Sequence, residues 1–242
     1  AVLFAKEQSQ KETVNDMHGN LINQANILQN KCWAETLYDR LGRVLFSEAL
    51  LDQARERLEK TPYYEISTYQ DHEAWSHNCD RAYWYFLASW MGRNGTAGTA
   101  RIDYQIAVRW TKGGGSPTVR FRNAVESIPW WHERLQNVVI LRRDAFDILN
   151  RFEDCKETAI YCDPPYADET RSKGAIKNGR GGKYLHEFNH GHAFVPSILD
   201  SDLCNKCGKP KSEHVTDHER LVACLNEYQH ARIVVSYYDS PR

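Results

Sequence analysis

The sequence predicts an α/β domain in which a parallel sheet is covered by helices on both faces. Three observations carry that prediction. Short apolar runs, "NVVIL" from Asn137, "TAIYC" from Thr158 and "RIVVSYY" from Arg232, alternate with segments of helical spacing. The runs are apolar on both faces, as strands are when helices pack on each side of them. Three strand ends carry polar groups, Asn15-Asp16, Arg143-Asp144 and Asp163. In such sheets ligands bind beyond the carboxyl ends of the strands.

The elements follow in chain order. "ETVND", residues 12–16, reads as a short strand ending in an acid. Leu21 to Asn30 places Leu21, Ile22, Ala25 and Leu28 at helical spacing. "FSEALLDQARERLEKTP" reads as an amphipathic helix with Ser47 as N-cap and Pro62 barring its continuation. "RAYWYFLASWMGRNG", Arg81 to Gly95, is aromatic-rich and stops at a glycine turn. Its tryptophans, and Trp75 before them, read as core.

Residues 100–123 mix β-branched, aromatic and basic residues around Gly-Gly-Gly-Ser-Pro, which reads as a hairpin or a long irregular loop. Ala124 to Gln136 suits a helix with a kink at Pro129, Asp144 to Phe152 another, and Thr216 to Tyr228 a third. Residues 167–215 break the rhythm and are too long for an ordinary connection.

Bulk composition limits the function classes. The chain has 242 residues, 41% hydrophobic and 26% charged, as ordinary globular proteins do. No apolar run approaches the roughly 20 residues that cross a bilayer. The start, "AVLFAKEQSQKE", has no signal-peptide pattern and no initiator Met, so the chain is expected to begin within a larger protein. Net charge is −1, so any nucleic-acid surface depends on local clustering. The 7 cysteines are scattered apart from Cys204 and Cys207, which fits a reducing compartment.

The most informative segment is "AIYCDPPYADE", Ala159 to Glu169. Prolines cannot continue a central strand. Here two of them hold the backbone rigid just past a strand end. The Asp163 carboxylate and the Pro164 carbonyl then become two fixed acceptors, suited to the two hydrogens of an exocyclic amino group. Pro165 completes the rigid turn, and Tyr166 offers a ring on which a flat base stacks. Fixed acceptors favour the geometry that frees the amino lone pair. A base inside a duplex cannot reach such a pocket and has to be flipped out. The plainer reading is a proline turn with Tyr166 as packing, and for Asp16 a turn or cap residue before "HGNL".

"YCDPPY" resembles the catalytic motif of the Dam-like, S-adenosylmethionine-dependent DNA adenine methyltransferases. "VNDMHGNLIN" from Val14, "NVVILRRDAFDIL", "YLHEF" and "DHERLVACLNEYQHARIVVSYYDSP" resemble further segments of that family, so about three quarters of the chain is covered. The resemblance implies a Rossmann-like methyltransferase sheet and methyl transfer to the adenine amino group of double-stranded DNA. It implies that Asp16 bonds the cofactor's ribose hydroxyls, that Asp144 lies by its adenine, and that Asp163, Pro164, Pro165 and Tyr166 form the reactive site, with Asp163 also facing the cofactor. Ser236-Tyr237-Tyr238-Asp239 would close the pocket from the next strand. The family's Phe-x-Gly-x-Gly loop is not found in the chain, and truncation before Ala1 is the expected reason. A cytoplasmic, prokaryotic or phage setting and a restriction-modification partner also follow from the resemblance.

Two further clusters stand apart from that motif. His192, Cys204, Cys207 and His214 have the spacing of a structural zinc site, with five of the 10 histidines between residues 186 and 218. His190 and His218 are alternatives; by the resemblance His218 belongs to the following helix, which favours His214. Two free thiols in a loop is the plainer reading. Arg171, Lys173, Lys177, Arg180 and Lys183 occur without an acid among them and suit phosphates flanking a flipped base, or else a solvated loop. Arg93, Asn94, Arg101, Arg109 and Lys112 fall where the family reads its target, with Gln105 a further candidate.

The expected organisation is residues 1–45 as the start of the methyltransferase domain and 46–123 as a helical and hairpin target-recognition region. Residues 124–188 then carry the catalytic motif, 189–215 a zinc-binding insertion, and 216–242 the rest of the methyltransferase domain. The competing functions are action on cytosine or RNA, a non-catalytic DNA-binding subunit, and a plain zinc-stabilised interaction domain.

Overall fold

A computed structural model describes residues 2–60, 71–92, 105–108, 115–165 and 217–236, and the backbone of 194–195 and 203–204. The chain divides into two compact units, residues 1–143 and 144–242.

The first unit is mainly helical around one parallel strand pair. Its elements are Val2–Ala5 (α1), Glu12–Asn15 (β1), Gly19–Gln29 (α2), Lys31–Gly42 (α3), Glu48–Lys60 (α4), His72–Met91 (α5), Pro117–Glu126 (α6), Ile128–Leu135 (α7) and Val138–Leu141 (β2). β1 and β2 run parallel, with Glu12 opposite Val138 and Asn15 opposite Leu141. The α4 helix starts where its sequence signals it: the Ser47 hydroxyl accepts from the Leu50 N–H at 3.3 Å. Asp71 caps α5 in the same way, accepting from Ala74 at 3.0 Å.

Burial follows helical period. Leu51 and Ala54 of α4, and Ala82, Phe86, Leu87 and Met91 of α5, are fully buried. They join Ile27, Leu37, Leu41, Phe121, Ile128 and Val138 in one core. Trp75 is buried in that core, and Trp84 and Trp90 pack against it, so these rings serve packing as expected.

Three local expectations change. Residues 117–123 are helical, not a hairpin or loop. Pro117 sits at the helix start, where a missing N–H costs nothing, and Phe121, Ala124 and Val125 bury one stripe. The helix expected over 124–136 is two helices that part at Ser127; Pro129 lies in the first turn of α7 and produces no kink. The α3 helix was not foreseen. It follows α2 directly because Asn30 ends one helix and caps the next, its side chain accepting from Trp33 at 3.3 Å.

The second unit contains Ala145–Leu149 (α8), Ala159–Cys162 (β3), Phe194–Val195 (β4), Leu203–Cys204 (β5), Asp217–Asn226 (α9) and Arg232–Val235 (β6). β3 and β6 are parallel, Ala159 opposite Arg232 and Cys162 opposite Val235. β4 and β5 are antiparallel, Phe194 opposite Cys204. Phe146, Leu149, Leu221 and Leu225 form the core, with Ile160, Cys162 and Ile233 packed on it. Tyr161 and Val234 point the other way and are 46% and 58% exposed. Among the described residues of this unit, helices therefore cover one face of β3–β6 rather than both. No helix among the described residues is long and apolar enough to cross a membrane.

Candidate active site

Polar groups gather at the carboxyl ends of both parallel strand pairs, where open α/β sheets bind ligands. In the first unit β1 ends at Asn15, and the Asp16 N–H still reaches the Leu141 carbonyl at 3.3 Å. Asp16 then turns the chain: its Oδ1 accepts from the His18 N–H at 2.7 Å, and His18 in turn caps α2. The turn reading of Asp16 thus describes one of its oxygens. Among the described residues nothing else bonds that carboxylate.

The partner strand is tied to the same point. The Asn15 amide donates to the Arg143 carbonyl at 2.9 Å, and its oxygen accepts from the Arg143 N–H at 2.9 Å. Arg142 crosses to the Met17 carbonyl, Nε donating at 3.3 Å. Its guanidinium passes over Gly19, where a Cβ would lie 3.3 Å from Cζ. Glycine leaves the space that this crossing needs.

In the second unit Asp144 repeats the Asp16 arrangement. Its Oδ1 accepts from the Phe146 N–H at 2.8 Å and caps α8, and the side chain is otherwise exposed. Both aspartates therefore spend one oxygen on a turn and keep the other for a hydroxyl or amino donor. Each is an acceptor of the kind that suits a hydroxyl or an amino group.

Asp163 follows β3 directly. The ladder continues to its doorstep, because the Ser236 N–H donates to the Cys162 carbonyl at 2.8 Å. Pro164 is buried and Pro165 half-buried, while the Asp163 carboxylate is exposed and makes no hydrogen bond or ion pair among the described residues. The backbone is thus held on both sides of an available acceptor. Cys162, the neighbour on the strand, is no nucleophile in waiting: burial pushes its thiol up, and nearby Cys224 adds to this. Ser236 marks the matching end of β6; residues 237–239 lie outside the described residues.

The remaining expected site residues are not placed. Tyr166 lies outside the described residues, as do Arg93, Asn94, Arg101, Arg109, Lys112, Arg171, Lys173, Lys177, Arg180 and Lys183. Gln105 is described and exposed. His192, Cys207 and His214 also lie outside, and of Cys204 only the backbone, at the end of β5, is described. Among the described residues no three His, Cys, Asp or Glu side chains gather as metal ligands. Sequence reasoning missed Arg142 and Gly19. It also missed Asp154, which accepts from the N–H groups of Gln229, His230 and Ala231 at 2.7–2.8 Å and ties β3's approach to the turn before β6.

No curated protein matches the chain. A family model does, that of the D12 class N6 adenine-specific DNA methyltransferases, over residues 1–209. The match takes in β1, β2 and β3, the Asp16 turn and the Asp163-Pro164-Pro165 strand end, and the chain belongs to the D12 class N6 adenine-specific DNA methyltransferase family.

Proposed function

We propose that the protein methylates the exocyclic amino group of adenine in double-stranded DNA, at a base flipped out of the duplex, with S-adenosylmethionine as donor. One observation carries the residue assignment: an exposed carboxylate, uncommitted among the described residues, on a backbone held by the β6 ladder before it and by a buried proline after it.

Asp163 and the Pro164 carbonyl each accept one amino hydrogen. Holding both hydrogens draws the nitrogen away from conjugation with the ring and frees its lone pair. S-adenosylmethionine supplies an electrophilic methyl group when bound. As the nitrogen gains positive charge, the Asp163 carboxylate stabilises it, and the surplus proton leaves on that side. Tyr166 stacks on the base. The transfer is a direct displacement at the methyl carbon that forms no covalent enzyme intermediate and leaves S-adenosylhomocysteine. Asp16 and Asp144 hold the cofactor by the oxygens that their turns leave over.

The DNA contacts belong to the same reading. Arg171, Lys173, Lys177, Arg180 and Lys183 grip phosphates, and Arg93, Asn94, Arg101, Arg109 and Lys112 serve target recognition. A Rossmann-like sheet, a cytoplasmic setting and a restriction-modification partner complete it.

A structural zinc held by His192, Cys204, Cys207 and His214 is part of the proposal. Its support is the Phe194–Cys204 pairing, since His192 precedes Phe194 by two residues and Cys207 follows Cys204 by three. Four protein ligands leave the metal no open position, so its role would be folding and not chemistry.

The test is transfer of labelled methyl from S-adenosylmethionine to duplex DNA, with duplexes lacking adenine and with RNA as comparisons. Label in adenine of DNA alone is expected. Label in cytosine or RNA would refute the substrate assignment.

A further inference from the structure

The Asn15 carboxamide does something that no ordinary strand residue does. It bonds both the N–H and the carbonyl of one residue just past the end of the neighbouring strand, each at 2.9 Å. Within a ladder those groups would be satisfied by backbone. Here the regular pairing has ended at Asn15–Leu141, and the side chain substitutes for the next rung. The clasp sits immediately before Asp16 on one strand. On the other it holds Arg143, the residue before Asp144.

We infer that Asn15 is a positioning residue for cofactor binding, an inference that rests on the assignment of Asp16 to the cofactor's ribose. Asp16 keeps one carboxylate oxygen for a ligand, and that oxygen's direction depends on the turn through His18. The turn is anchored at three points to the end of β2: the Leu141 carbonyl, the Asn15–Arg143 clasp, and the Arg142 side chain on Met17. Of the three, only the clasp makes two bonds, each at 2.9 Å, between a planar amide and a planar backbone unit; the bond from the Asp16 N–H to the Leu141 carbonyl is single and longer, at 3.3 Å. The Arg142 bond, at 3.3 Å from a long and exposed side chain, holds more loosely. Asn15 touches neither base nor methyl group on this account. It acts through Asp16.

Removing the clasp therefore weakens cofactor binding and leaves the chemical step intact. Two neutral hydrogen bonds in partly exposed surroundings correspond to about tenfold in affinity. The experiment is calorimetric titration of the full chain with S-adenosylhomocysteine, for wild type, Asn15→Ala, Asn15→Asp and Asp16→Ala, beside steady-state methylation and thermal melting. The expected result is about tenfold weaker binding for Asn15→Ala, a KM for S-adenosylmethionine raised by the same factor, and kcat within about twofold of wild type. Asn15→Asp keeps the acceptor for the Arg143 N–H but sets a carboxylate against its carbonyl, and should also bind more weakly. If Asn15→Ala does not fold, Asn15→Asp decides on the same measurement.

Unchanged affinity in the folded Asn15 variants, with Asp16→Ala weakened at least tenfold, would overturn the inference alone. A lowered melting temperature with unchanged affinity has the same meaning, since a merely structural role predicts that pattern. Unchanged affinity in Asp16→Ala would instead remove the ribose assignment, and this inference with it.

Discussion

Glu12 offers the sharpest test of how the first unit is held together. It opens β1, yet its side chain is 4% exposed, and it meets Arg134 of α7, itself 8% exposed. The guanidinium donates from both terminal nitrogens to the two carboxylate oxygens, and also to the Leu3 carbonyl at 3.0 Å. Lys6 and the Ser9 N–H add to the same carboxylate. These bonds, Arg134 first, outweigh burial and hold the Glu12 carboxyl at about 2 instead of 4.5. That difference corresponds to about 3 kcal/mol.

The sign is that of a depressed acid. The stabilisation is fully present above about pH 4.5 and is lost as pH falls toward 2. Glu12→Gln should remove it at neutral pH and leave a buried guanidinium facing a neutral amide, again a cost of about 3 kcal/mol. All 7 tryptophans lie in residues 1–143, so tryptophan fluorescence during urea unfolding reports on this unit. Glu12→Gln should also flatten the acid limb of stability between pH 4.5 and 2. The double variant Glu12→Leu with Arg134→Met should recover to within about 1 kcal/mol of wild type, because it leaves no buried charge unpaired; Lys6, which also meets Glu12, is 41% exposed and open to water. A Glu12→Gln protein within about 0.5 kcal/mol of wild type would refute the reasoning, as would an unchanged acid limb.

Other outcomes follow from the same structure. Asp163→Ala should abolish methylation while melting and circular dichroism stay as in wild type, since the side chain is exposed and unpaired among the described residues; near-normal activity would remove the proposed mechanism. Phe86→Ala should cost about 3–5 kcal/mol, because the ring is fully buried between Phe121, Trp90 and Trp131, and urea titration measures it. Asp154→Asn should lower the melting temperature at neutral pH and lose that effect as pH falls below about 3.8. The Gln229, Ala231 and His230 N–H groups keep the carboxyl below its ordinary range, so its contribution belongs to the ionised form. Metal analysis of protein purified without chelator should find one zinc per chain, and its absence would remove the proposed zinc site.

What the sequence disclosed depended on how local the cause was. The α4 start was legible because Ser47 and the apolar stripe lie within one turn. The strands of the two parallel pairs and their sense were legible in apolar runs alternating with helical segments, whereas the antiparallel β4–β5 pair was not foreseen. The α3 helix was not, because Asn30 serves two helix ends at once and one residue gives no sign of doing so. Residues 117–123 misled because the glycines and proline before them suggested a turn, while the stripe that buries Phe121 becomes apparent only against the α5 core.

The site shows the same division. Asp163 announced itself, since prolines after an apolar strand need a reason. Asn15 and Arg143 are 128 residues apart, and nothing in either neighbourhood signals that they meet. The Asp163 strand end supplies acceptors whose meaning is chemical and short-ranged, so residue type and order suffice to suggest it. The aim of the Asp16 carboxylate depends instead on which strand lies beside it. That is a property of the sheet. It explains why the proposed catalytic motif is readable in one sequence while the residue proposed to orient the cofactor site is not. It also explains why the Asn15 variants test the fold's contribution to function, whereas the Asp163 variant tests the motif's.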